Sequence, residues 1–180
     1  VTRTRFPANN FKGTWGEFLM AKIIQVGMAD LKMTRAPDRL MTAGLGSCIG
    51  ICIYDRAIKL GSLAHIMLPS SLQAKNPENM AKFADSAIEV VIDMMLKNGA
   101  NRSRLQAKIA GGAQMFRFSG ESDIMKIGER NAIAVEENLQ KHRIPLLARD
   151  TGGNYGRTIT FDPETGDLLV RTIGHGERII

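Results

Sequence analysis

The sequence predicts an α/β or α+β domain in which two helices cover a stranded sheet. Three observations predict it. Apolar, strand-sized runs occur at residues 49–54 and 62–68, the length of a buried strand. Two longer stretches instead repeat their apolar residues every three to four positions. Met80, Phe83, Ala84, Ala87, Val91, Met94 and Met95 form one stripe, and Ala132, Val135 and Leu139 the other, the period of a helix face. Turn-forming clusters such as Asp162-Pro163-Glu164-Thr165-Gly166-Asp167 punctuate the runs.

Residues 1–22 read as an extension, with Pro7, Asn9, Asn10 and Gly13 interrupting any period and room for a short helix at 14–20. Residues 23–180 read as one domain. The apolar run 23–33 predicts a strand, and Pro37 breaks the chain because the residue before proline avoids helical dihedrals. A short strand at 40–43 leads into the bend Gly44-Leu45-Gly46-Ser47-Cys48. The runs 49–54 and 62–68, joined by 55–61, form a hairpin with a longer loop. After a polar loop at 69–77, Asn76 then Pro77 marks a helix start. Asn98-Gly99 stops that helix. Leu105, Ala107 and Ile109 alternate as a strand does, and 129–142 is the second helix. Strands follow at 145–149, 157–161 and 168–173.

Composition removes several classes of function. At 180 residues the chain is one domain's worth. Its 44% hydrophobic and 23% charged residues are ordinary globular usage. No apolar run approaches the about 18 residues of a membrane span, so membrane insertion is not expected. The net charge of +6 is concentrated at the start: residues 1–40 carry seven bases against three acids. Those bases are scattered rather than clustered, which argues against a nucleic-acid surface. Cys48 and Cys52 lie about 13 Å apart in one extended strand, too far to bridge. Two unpaired cysteines and no apolar leader point to a reducing, cytoplasmic setting. Two cysteines and three dispersed histidines are not a metal site. Gly44 to Gly50 lacks the Lys-Ser/Thr ending of a phosphate loop.

Chemistry concentrates on one stretch. His142, beside Lys141 and Arg143, reads as a solvated surface residue, and His175 as part of a mobile loop. His65 differs, because it interrupts the apolar strand Leu63-Ala64-His65-Ile66-Met67-Leu68. If Tyr54 faces Leu60 in the hairpin, Ile49 lies opposite His65 and Cys48 opposite Ile66. That puts His65 within one pair of Cys48, and paired residues lie about 4.5–5.5 Å apart. A neighbouring imidazole that takes a thiol proton makes a nucleophile. The glycines around Gly46 and Ser47 permit a bend that aims backbone N–H groups at an oxyanion. Thr42 has an acceptor hydroxyl that could orient the ring. The same residues equally describe a buried structural cysteine beside a core histidine, with Cys52 a further core side chain.

Thr42-Ala43-Gly44-Leu45-Gly46-Ser47-Cys48 closely resembles the signature T-x-G-L-G-S-C of CheD, the chemoreceptor glutamine deamidase family. The match continues through Ala64-His65-Ile66-Met67-Leu68-Pro69, Lys108-Ile109-Ala110-Gly111-Gly112-Ala113 with Met115-Phe116, and Ile127-Gly128-Glu129-Arg130-Asn131. It extends to Asp150-Thr151-Gly152-Gly153-Asn154 and to Thr165-Gly166 before Leu168-Leu169-Val170. The resemblance implies a layered α/β sandwich with a mixed sheet, similar to toxin-type cysteine deamidases. It implies cofactor-free hydrolysis of glutamine side-chain amides on methyl-accepting chemotaxis receptors, with Cys48, His65 and Thr42 catalytic. It also implies a CheC-type phosphatase as a second partner. A non-catalytic module that regulates such a phosphatase is the alternative the same residues allow. The extension at the start, an apparent insertion at 117–126 and His175 depart from the family pattern without touching the catalytic positions.

Overall fold

The computed structural model describes residues 21–74, 78–114, 126–172 and 174–180. Ten strands and two helices lie within them, in two five-stranded sheets. Most of the 1–22 extension, the Asn76-Pro77 helix start and all of the 117–126 insertion but Lys126 fall outside the described residues.

The expected strand 23–33 divides in two. β1 (Ile23–Gln25) pairs parallel with β3 (Arg39–Leu45), whereas β2 (Leu31–Arg35) pairs antiparallel with β5 (Leu60–Ile66) in the other sheet. The cause is local. The Asp30 carboxylate accepts from the Gly27 and Leu31 N–H groups, and Ala29 turns to a positive φ of 52°. These local side-chain bonds offer the backbone an alternative to the ladder.

The first sheet runs β1-β3-β8-β9-β10, with β8 (Arg157–Phe161), β9 (Leu168–Thr172) and β10 (Gly176–Ile179). β10 had no apolar pattern to announce it; all four of its residues are exposed. The second sheet runs β2-β5-β4-β6-β7, with β4 (Ile49–Asp55), β6 (Gln106–Gly111) and β7 (Leu146–Thr151).

α1 (Ala84–Lys97) and α2 (Ile127–Lys141) cover the outer face of the second sheet. α1 ends at Asn98 as expected but begins later than Asn76-Pro77. Phe83 is extended, and hydrogen bonds from Met67 and Leu68 to the Lys82 carbonyl and from Ala84 to the Leu68 carbonyl hold 82–84 against the segment after β5. A single 3-10 turn, Met80–Lys82, precedes that anchor, and α-helical bonding begins beyond it.

The result is three layers: sheet, sheet, helices. Ile49, Ile51 and Ile53 of β4 pack toward Ile88, Val91 and Val135, while Cys52 and Tyr54 pack toward Leu40, Ile159 and Phe161 of the first sheet. Every β4 residue is buried, as expected of a strand covered on both faces. The sheets approach closely enough to require glycine. A Cβ on Gly50 would lie 2.5 Å from Ile159, and one on Gly61 the same distance from Phe161.

Candidate active site

The β4–β5 hairpin carries two of the three candidate residues, and its register differs by one from the expectation. Tyr54 pairs with Gly61 rather than Leu60, so Ile49 lies opposite Ile66 and Gly50 opposite His65. The turn is the reason. Asp55 still belongs to β4 and pairs with Leu60. Its carboxylate accepts from the Ala57 N–H, and Lys59 closes the loop at a positive φ of 51°. A one-residue slip turns every side chain to the other face. In the expected register Cys48 would share the face of Ile66, away from the imidazole. In the observed one it precedes Gly50 by two, on the His65 face, one diagonal step away. Such a step is about 7–8 Å between backbones. Cys48 accordingly packs in the core between the sheets.

Thr42 reaches His65 from the opposite sheet. Its Oγ1 lies 2.8 Å from His65 Nδ1 and 2.7 Å from the Val26 carbonyl oxygen. A carbonyl can only accept, so the single hydroxyl proton goes to Val26. Nδ1 must then carry the proton it donates to Thr42. That fixes the tautomer and leaves Nε2 with a free lone pair; Nε2 is buried and has no hydrogen-bond partner among the described residues. Burial lowers the His65 pKa below its ordinary value and raises that of the Cys48 thiol, with the cysteine's own N–H pulling the other way. Both shifts favour neutral thiol beside neutral imidazole at rest. Cys52, fully buried, is pushed up further still.

The turn before Cys48 is braced from one side. The Gly46 carbonyl accepts from Ala113 N–H at 2.8 Å, and the Cys48 carbonyl from Gly112 N–H at 2.8 Å. The Ser47 carbonyl accepts from Asn131 Nδ2 at 2.9 Å. In a trans peptide each N–H points opposite to the preceding carbonyl. Tethering these carbonyls therefore turns the Ser47 and Cys48 N–H groups to the other side of the turn. The Gly46 N–H is itself taken up, bonding the Gly44 carbonyl at 3.0 Å. Gly111 and Gly112 take φ of 122° and 67°, and a Cβ on Gly111 would run into the Cys48 carbonyl oxygen.

Two features were missed by sequence reasoning. Asn131 is fully buried on α2, and a polar residue four before Val135 on the apolar stripe was the available signal. Asp150 and Arg157 form a buried ion pair, 2.9 Å apart, between β7 and β8; nothing local announces it. His142 is largely covered rather than solvated, 3.8 Å from Glu89 and 3.5 Å from Arg102. His175, expected in a mobile loop, stacks on Tyr155 with centroids 4.4 Å apart. Neither joins the Thr42–His65 pair. Among the described residues no three His, Cys, Asp or Glu side chains cluster as metal ligands would.

A family model described as CheD chemotactic sensory transduction matches residues 67–172, more than half of the chain. A probable chemoreceptor glutamine deamidase CheD of Syntrophomonas wolfei is 78% identical over 161 residues, 89% of this chain and all of that protein. The chain belongs to the CheD family. The chemoreceptor glutamine deamidase CheD of Bacillus licheniformis is 48% identical over 86% of this chain and 92% of its own length, and that of Bacillus subtilis 46% over 89% and 97%. The family model begins at Met67, past all three candidate residues. A 161-residue match within 180 residues necessarily spans them. Among solved structures, a Bacillus licheniformis protein titled hypothetical protein YfiH covers 68% of this chain and 50% of its own, at 14% identity and a TM-score of 0.41.

Proposed function

We propose that this CheD-family chain is an amidohydrolase that converts glutamine side chains of chemoreceptors to glutamate, with Cys48 as nucleophile, His65 as base and Thr42 as the group that orients it. The observation that carries the reading is the His65 ring, held through Nδ1 by Thr42 with Nε2 unbonded, one diagonal step from Cys48. What sets His65 apart from His142, whose Nε2 is also buried without a hydrogen bond among the described residues, is the Thr42 hydroxyl on its other nitrogen and a cysteine beside it. The relatives' names supply the substrate class.

The cycle begins with the neutral pair. Cys48 gives its proton to His65 Nε2 as the sulfur attacks the glutamine amide carbon. The carbonyl oxygen takes up negative charge opposite the Ser47 and Cys48 N–H groups. Collapse breaks the C–N bond, His65 returns the proton to the leaving nitrogen, and ammonia departs from a thioester. Water, deprotonated by His65, attacks the thioester. Glutamate leaves and the thiol regains its proton. Such acid–base help is worth about 10²–10⁴-fold. No step needs a cofactor.

The receptors reach the site as protein substrates from the cytoplasm in this reading. A CheC-type phosphatase as second partner belongs to the same proposal and rests on the family resemblance. No helix of the described residues is long and apolar enough to cross a membrane.

The test is mass spectrometry of a receptor fragment after incubation with the protein. Wild type converts specific glutamines to glutamate, and Cys48→Ala converts none. Undiminished conversion by Cys48→Ala would discard the nucleophile.

A further inference from the structure

The Asn131 amide ties together the two segments that carry Cys48 and His65. Its Nδ2 lies 2.9 Å from the Ser47 carbonyl and 2.9 Å from the Met67 carbonyl. Ser47 immediately precedes the cysteine, and Met67 follows the histidine by two. Both contacts are carbonyl oxygens, so the nitrogen must face them; a flipped amide would set oxygen against oxygen. The orientation has a cost, because Asn131 Oδ1 is left buried without a partner among the described residues. An apolar side chain beside Ala132, Val135 and Leu139 would satisfy the helix packing but take this donor from the Ser47 and Met67 carbonyls, so the asparagine serves those two segments. Its position on the helix is also fixed. Gly128, one turn earlier, brings α2 so close to the Gly112 and Ala113 carbonyls that a Cβ would meet the Gly112 oxygen at 2.5 Å.

We propose that Asn131 is a positioning residue of the deamidation site, one amide that sets the Cys48 turn against the His65 strand. The inference rests on the Cys48–His65 assignment. Backbone pairing fixes Ile49 against Ile66, but Cys48 lies beyond the ladder, in the turn. Without the Asn131 bridge the turn keeps its bonds from Ala113 and Gly112 but loses this tie to the segment after the His65 strand, and the sulfur can shift from Nε2 while the sheet stays whole. A misplacement of about 1 Å can cost about 10²-fold in rate.

Asn131→Ala and Asn131→Ser are assayed on a receptor fragment beside wild type, Cys48→Ala and Asn138→Ala. Asn138 is the control, since its amide bonds the Ala134 carbonyl of its own helix. Iodoacetamide alkylation of Cys48 is followed against pH at a temperature where circular dichroism shows every variant folded. For Asn131→Ala the expected result is a kcat down about 100-fold with KM within about twofold. Its alkylation profile loses the lower limb that His65 imposes. Asn131→Ser falls between, and Asn138→Ala matches wild type. If only the unfolding temperature drops, with kcat and the alkylation profile unchanged, Asn131 is a packing residue and the inference is wrong. Should Asn131→Ala not fold, Asn131→Ser decides by the same two readings. Deamidation by Cys48→Ala would instead overturn the underlying assignment.

Discussion

In the proposed site, Thr42 and His65 need little chemistry to set a base. One hydroxyl, committed to the Val26 carbonyl, forces the proton onto Nδ1 and frees Nε2. Thr42→Val keeps the shape and removes the acceptor. It is expected to lower kcat about 10–100-fold, with Thr42→Ser close to wild type; steady-state kinetics on a receptor fragment check both. The pH dependence follows from burial. His65 works neutral, and its pKa lies below the ordinary value of about 6.5. Activity should therefore persist through pH 6.5 and fall only as pH drops through the lowered value. Stability moves the same way. Below about pH 6.5 the unfolded chain takes a proton that the folded chain refuses, so stability declines as pH falls toward the folded value. Urea midpoints of wild type and His65→Gln between pH 8 and 5 test the sign, with the variant showing the weaker decline. That Cys48 and His65 lie near one another was legible in the sequence because they flank one hairpin, though the expected register was one residue off; the Thr42 contact with His65 crosses between the sheets. Asn131 was not legible, because its partners lie 84 and 64 residues away.

At the scale of elements, the strands and helices followed from periodicity, but their ends and partners did not. The run 23–33 carried no period break, yet the Asp30 side chain divides it between two sheets. The hairpin slipped by one because Asp55 caps its own turn. Loops that brace the site are read even less from pattern, since their purpose lies across the fold. Gly111 illustrates this: its φ of 122° suits glycine alone, and its missing side chain admits the Cys48 carbonyl. Gly111→Ala should destabilise the protein by about 3 kcal/mol or more, combining strained backbone with a displaced turn. Urea denaturation gives the loss. The folded remainder should deamidate poorly, because the Cys48 turn has moved.

Across the whole molecule, the proposed site lies where the two sheets dock, with Thr42 on one and His65 on the other. Asp150 on β7 helps hold that junction, accepting from Arg157 on β8 and from Arg178 on β10. Burial works to raise the Asp150 pKa, but the guanidinium hydrogen bonds outweigh it and hold the carboxyl below its ordinary value. Its contribution is therefore present above about pH 3.9 and lost as pH falls through the lowered value. Asp150→Ala leaves Arg157 charged and buried, a change that typically costs about 3–5 kcal/mol. Its unfolding free energy should drop by that order, and activity with it, as the sheets part. No sequence pattern indicated the pair, because its members face one another only after the sheets stack. The most direct test of the account uses a receptor peptide whose target glutamine amide is replaced by a chloroketone. Peptide mapping should find the label on Cys48 alone, added far more slowly in His65→Gln. A label on Cys52 or any other residue, or equal labelling without His65, would contradict it.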